Sequence, residues 1–253
     1  MKASRALGVI PILVLLLAWQ WAASAGLYAA VLLPPPLVVA QVFIDEPGQL
    51  AYHMLASLTR VAIGVGWAFV TAVPLGLLIG RYHWLDMLTD WSIQMFRSFP
   101  PISLIPLALL FFGIGDKPAV VLIFISAFWP LIINTIFGVR SVERTLLRVA
   151  KSSRAGEWLV FTDIMLPASL PAIFTGLRLA IGAGWLTVVT AEMIAVRSGL
   201  GYMILNAQMT FRSDLIIAGI LVIGVVGLAA DQGVRALRGY LCRWQEGLTA
   251  SPE

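Results

Sequence analysis

The chain has 253 residues, of which 60% are apolar and 12% charged, with one cysteine, a net charge of +4 and a mean hydropathy of +0.92. A chain of this size is too apolar for a water-soluble domain, so its solvent is lipid. Disorder, coiled coil, collagen and a disulfide-stapled secreted scaffold are excluded, because each needs many charges, a strict repeat or many cysteines, and Cys242 alone closes no internal disulfide.

A membrane-crossing helix needs about 20 mainly apolar residues, and windows poor in Asp, Glu, Lys and Arg mark six candidates. The first reads from Leu7 to about Ala25, with Gly26 and the triplet Pro34, Pro35 and Pro36 stopping it. Lys2, Arg5, this apolar run and Ala23-Ser24-Ala25 also fit a cleavable signal peptide, whose loss would leave five spans. The second span is expected from Val61 to Gly80, preceded by an external loop from Gly26 to Thr59 that carries no Lys or Arg. The third covers Pro101 to Gly113 plus several preceding residues, and the fourth Pro118 to Val139, with Gly115, Asp116 and Lys117 as the turn between them. The fifth, Ile173 to Val196, contains Arg178 and Glu192; the sixth runs from Leu215 to about Ala230. Runs such as Val120 to Ile125 are apolar at every position, which fits helices and not the alternation of an outer-membrane barrel. Gly and Pro positions alone mark no broken span.

With a cytoplasmic amino terminus, six spans return the carboxy terminus to the cytoplasm. Thirteen of the seventeen Lys and Arg then fall inside, against Lys117, Arg197 and Arg212 outside and Arg60 at the outer boundary of the second span. The basic excess therefore reports topology before any nucleic acid, for which no binding is expected.

Inside the spans, Glu192 is the sharpest residue, because a charge at membrane depth is costly. It is either a gating group or an end residue that reaches head groups or caps a neighbouring helix. Arg178 lies roughly 21 Å from it along a helix, too far to pair, and is expected to snorkel to the inner interface. Asn134, Thr187 and Thr190 suit either a polar pathway or bonds between helices, and Gly176, Gly182 and Gly184 suggest close helix approach.

The longest internal stretch outside the spans, Arg140 to Leu166, is basic and amphipathic. Val142, Leu146, Val149 and Ala150 recur at helical spacing, with Arg144, Arg148 and Lys151 mostly opposite. By itself this reads as a helix on the inner leaflet. Ala150 followed by Ile164-Met165-Leu166-Pro167 resembles the cytoplasmic loop of the membrane subunit of binding-protein-dependent ATP-binding-cassette importers: Glu, Ala, Ala, a Gly, then an apolar-x-Leu-Pro tail. The head departs from that signature, with Arg148 in place of Glu, Val149 of the first Ala and Arg154 of the Gly, although Gly156 follows. LPPPLVVAQVF (from Leu33), IPLALLFFGIGDKPAVVLIFISAFWPLIINTIFGV (from Ile105), LPASLPAIFTGLRLAIGAGW (from Leu166), AEM (from Ala191) and GLGYMI (from Gly199) resemble the branch that moves nitrate, sulfonates, taurine and bicarbonate, over about residues 33–228.

The resemblance implies an all-α permease bundle of the type I importer kind, one transmembrane domain over residues 1–253, with a coupling helix in the loop at about 140–167. Arg148, Val149, Ala150, Lys151, Arg154, Gly156 and Pro167 would dock a separate ATPase. It also implies a periplasmic or lipid-anchored solute-binding protein, a second permease copy, and residence in a bacterial inner membrane. No GxxxxGK[ST] loop is present, so ATP is expected on the partner, with no cofactor, metal or catalytic residue in this chain. His53 and His83 lie in no HExxH, and there is no GxSxG. Two alternatives come from other classes. One is a presenilin-like aspartyl protease, from the GxGD string Gly113 to Asp116 with Asp231 as second aspartate; the other is a non-transporting membrane scaffold.

Overall fold

The computed structural model describes residues 2–25, 29 and 31–243, and within them leaves out the side chains of residues 2–10, 12, 13 and 144. Gly26, expected to end the first helix, lies outside the described residues. Helix α1 (Lys2–Ser24) coincides with the first expected span. Pro36 opens α2 (Pro36–Asp45) and Pro47 opens α3 (Pro47–Arg81), since a fixed φ and a missing N–H suit a first helical turn. Much of the stretch expected as an external loop is therefore helix. Arg60 lies inside α3, and its side chain is buried.

Helix α4 (His83–Arg97) is followed by a 3-10 turn, Pro101–Leu104, and α5 (Ile105–Phe112). The axes of the α4 and α5 segments differ by 82°. Pro100 and Pro101 cause the break, because neither donates a backbone hydrogen bond and each bars the preceding residue from helical geometry. The third expected span falls on this bent pair, whose break Pro100 and Pro101 mark. Next come α6 (Asp116–Arg140), α7 (Arg144–Ser152) and α8 (Glu157–Val160), then a π-helical turn, Phe161–Met165, leading into α9 (Leu166–Ala195). Helices α10 (Leu200–Met209) and α11 (Ser213–Leu241) complete the chain.

Among the described residues four helical stretches are long and apolar enough to cross a membrane: α3, α6, Glu157–Ala195 and α11. A fifth appears if the bent pair counts as one span. The expected sixth falls on α1, whose first side chains are outside the description.

Helices α3, α6 and α9 form the centre, burying Leu122, Ile123, Leu131 and Val188 completely. Apolar burial gives little association energy in lipid, so close backbone approach decides which helices pack. A Cβ on Gly64 would lie 2.6 Å from Cγ2 of Ile123, one on Gly76 2.7 Å from Cβ of Thr135, and one on Gly176 2.9 Å from Cβ of Asn134. Gly184 meets Ile123 and Val65 at 3.2 Å, whereas Gly182 faces open space and takes no part in the approach expected of it. Outside this centre, Trp67, Val70, Leu186 and Val225 are exposed, as lipid-facing residues are. Arg212 joins the α10–α11 link to the α2–α3 link by donating to Asp214 Oδ2 (2.8 Å) and Glu46 Oε1 (2.6 Å). Those bonds, Asp214 first and Glu46 second, hold its pKa above the usual arginine value.

Gly64→Ala is expected to lower the melting temperature of the detergent-solubilised protein, at an overpacking cost of about 1–3 kcal/mol. Gly66→Ala, which meets nothing within 4 Å, should leave it unchanged or slightly raised, and thermal unfolding followed by size-exclusion fluorescence separates the two.

Candidate functional site

Two assemblies carry the polar chemistry, one at each end of the α3–α6–α9 centre. At the end that the charge count predicts to be external, His53, Ser57 and Arg60 follow one another on α3 at i, i+4 and i+7 and so share one face. Glu192 sits one turn from the end of α9, and its side chain is fully buried. Arg60 Nη1 donates to Glu192 Oε1 at 2.7 Å and to the Ser198 carbonyl at 2.9 Å, while its Nε donates to Asp116 Oδ1 at 2.8 Å. Ser57 Oγ donates to Glu192 Oε2 at 2.8 Å.

The same groups cap α10. The first N–H groups of a helix have no partner within it. Here Gly199 N–H donates to His53 Nδ1 (3.0 Å), Leu200 N–H to Ser57 Oγ (2.9 Å) and Gly201 N–H to Glu192 Oε2 (3.0 Å). Glu192 therefore both pairs with Arg60 and caps a neighbouring helix, the second of which was among its expected roles. The two glycines are obligatory: Gly199 has φ +106° and a Cβ there would lie 2.2 Å from Glu192 Oε1, while one on Gly201 would lie 2.2 Å from the Val189 carbonyl. Sequence reasoning missed Arg60, Ser57 and His53 as partners of Glu192; the signal available was their single-face spacing on one helix.

The GIGD string is a turn. Gly113 and Gly115 take φ values of +71° and +148°, and Gly115 N–H donates to the Ala195 carbonyl at 2.8 Å, tying the start of α6 to the end of α9. Asp116 pairs with Arg60, whereas Asp231 is held by Arg178 and Arg235. The two aspartates answer to different arginines, and the protease reading has no support. Arg178 is thus an ion-pair partner of Asp231, not a side chain reaching alone for the interface.

The remaining pathway candidates make local or interhelical bonds. Asn134 Nδ2 donates to the Pro130 carbonyl at 2.8 Å, the Thr187 and Ser126 hydroxyls lie 2.9 Å apart, and Thr190 Oγ1 donates to the Leu186 carbonyl at 3.4 Å.

At the opposite end lies the segment with the loop signature. Val142 and Ala150 are buried, but Leu146 and Val149 are 47% and 60% exposed, so the apolar side of α7 is only half satisfied by this chain. Arg148 and Lys151 are exposed. Helix α7 ends in a Schellman motif: Ala155 N–H donates to the Ala150 carbonyl (3.0 Å) and Arg154 N–H to the Lys151 carbonyl (3.1 Å). Arg154 occupies the left-handed position at φ +52°, which gives the physical reason for a Gly at this point of the loop signature. Gly156 then opens α8, and α8, the π-turn and α9 continue as one helical stretch from Glu157 to Ala195 with Pro167 in its path. Arg81, the last residue of α3, fastens this stretch by donating to Glu157 Oε2 at 2.9 Å. Among the described residues no group of His, Cys, Asp and Glu is placed to hold a metal.

A bundle of long apolar helices, locked at one end by a buried charge network and presenting a half-satisfied amphipathic helix at the other, defines a multi-pass membrane protein. Residues 72–239 match the family described as binding-protein-dependent transport system inner membrane component, and the chain belongs to that family. It is 34% identical over 238 residues to the taurine transport system permease protein TauC of Escherichia coli (strain K12), covering 91% of this chain and 86% of that one. Identity to the bicarbonate transport system permease protein CmpB of Synechococcus elongatus is 36% over 247 residues, covering 92% and 87%. Two inward-facing structures of the MetNI methionine ABC transporter superpose with TM-scores of 0.58 and 0.61 at 17% and 18% identity. They cover 72% and 76% of this chain and 93% and 98% of the matched chains, and they establish the fold as that of an importer permease.

Breaking the buried pair from one side strands a charge, so Arg60→Met or Glu192→Leu alone should each cost about 3–5 kcal/mol, and the double substitution less than either. Detergent melting of the four proteins checks this. Arg154→Gly removes a left-handed strain of about 1 kcal/mol, and slower amide hydrogen exchange at residues 154 and 155 is the expected result.

Proposed function

We propose that the chain is the transmembrane subunit of an ATP-driven importer and lines the path of a small anion, such as a sulfonate, taurine, nitrate or bicarbonate. The observation that carries the substrate class is likeness over about nine-tenths of the chain to permeases named for taurine and bicarbonate, and over 89% of it to one named for aliphatic sulfonates. An external binding protein delivers the anion. A separate ATP-binding-cassette ATPase supplies the energy, since the chain has no phosphate-binding loop of its own. Two copies of the permease enclose one pathway in the bacterial inner membrane, with amino and carboxy termini on the cytoplasmic face.

The ATPase docks on Arg148, Val149, Ala150, Lys151, Arg154 and Gly156. Exposure of Val149 and Leu146 beside exposed cations supports this reading, because an amphipathic helix with an open apolar face is a common way to fill a partner's groove. The continuous helical stretch through Pro167 makes the docked segment a lever: displacement at α7 and α8 tilts α9 as one body. Asn134, Thr187 and Thr190 remain candidates to line the path once a second copy is present, and Glu192 to gate it through the α10 cap.

Glutamates at both Arg154 and Gly156 should leave the protein inserted while lowering ATP-dependent uptake by about tenfold or more. Uptake and ATP hydrolysis are measured together in proteoliposomes holding permease, ATPase and binding protein; coupling equal to that of the unaltered complex would remove the docking assignment.

A further inference from the structure

A charged groove lies between α4 and α6. Helix α4 lies along the Arg140-bearing half of α6, pinned at one end by an ion pair between Asp86 and Arg140 and at the other by Phe96 stacked on Trp129, ring centroids 6.2 Å apart. A cavity of about 350 Å³ lies there, lined from α4 by Asp86, Asp90, Gln94 and Arg97 and from α6 by Phe137 and Arg140. The four polar residues of α4 fall at 86, 90, 94 and 97, one helical face, while Trp84, Met87, Leu88, Trp91 and Met95 point away from it and are exposed. A 350 Å³ cavity is within the ordinary range for a small-molecule site.

The charges in this groove are not all spoken for. Asp86 is neutralised by Arg140. Among the described residues Asp90 accepts only the Gln94 amide, at 2.8 Å, and Arg97 has no ion-pair or hydrogen-bond partner. Asp90, Gln94 and Arg97 are exposed, so a ligand entering the groove can reach all three. A free carboxylate and a free guanidinium stand seven residues apart on one helix face, about 10 Å of helix rise that the reach of an arginine side chain shortens. At the Phe96 end, Trp129 Nε1 is the one buried side-chain nitrogen or oxygen among the described residues without a partner, a further donor at that level.

We infer that this groove is a low-affinity substrate site in the pathway and that it is built for a small zwitterion: Arg97 takes the sulfonate or carboxylate, Asp90 the ammonium. The guanidinium fork matches an oxyanion in two places, and the carboxylate discriminates against anions that lack a positive end. This rests on the transport reading above and narrows it, because a mono-anion such as bicarbonate would leave Asp90 unpaired and repelling.

The test uses the whole complex of permease, ATPase and binding protein in proteoliposomes, with 2-aminoethanesulfonate and ethanesulfonate as probes and the same binding protein throughout. Asp90→Asn should cut uptake of 2-aminoethanesulfonate by about tenfold and change that of ethanesulfonate by less than about twofold. Arg97→Gln should cut both by about tenfold, and Arg97→Lys should restore part of each. Insertion and ATPase retention of every variant are read from the purified complex. An uptake ratio unchanged by Asp90→Asn, with both probes still carried, would overturn the site while leaving the importer reading intact. Failure of the unaltered complex to carry either probe would overturn the sulfonate reading and this inference with it.

Discussion

The buried ion pair between Arg60 and Glu192 is the constraint around which one end of the molecule is organised. Removing two charges from water costs several kcal/mol per ion, and their attraction offsets this only where further hydrogen bonds satisfy the remaining lone pairs and protons. Here they do: Glu192 also accepts from Ser57 and from the Gly201 amide, and Arg60 also donates to Asp116 and the Ser198 carbonyl. The demand reaches into the backbone, since the carboxylate fits only if Gly199 and Gly201 lack side chains. One pair thereby ties together α3, the start of α6, the end of α9 and the start of α10.

The rest of the bundle is held by different means. In lipid, helices gain little from burying apolar surface, so α3, α6 and α9 associate where glycines let backbones meet. That gives a rigid centre with one locked end. The other end is looser in composition: its ion pairs, Arg81 with Glu157 and Arg178 with Asp231, are largely exposed, and α7 keeps part of its apolar side open. One helical stretch, Glu157 to Ala195, runs from the exposed end into the locked network.

Polar side chains take two forms in this chain. Those in the α3–α9–α10 network are saturated with partners and hold structure. Those on α4 are only partly paired and line an open groove.

The sequence by itself determined that this is a helical membrane protein and where most of its long helices run, because these depend on local composition and on short, contiguous patterns. The family likeness was legible in segments such as AEM and GLGYMI, the very segments that meet at the charge network. Tertiary structure alone decided which charges face one another. Arg60 stands next to the apolar window that starts at Val61, and only the fold shows it buried between Glu192 and Asp116. Arg178 finds Asp231, 53 residues away, and the bend between α4 and α5 turns a cytoplasmic-looking stretch into the wall of a groove. Pairings of this kind join residues far apart in the chain, and no periodicity within a single helix records them.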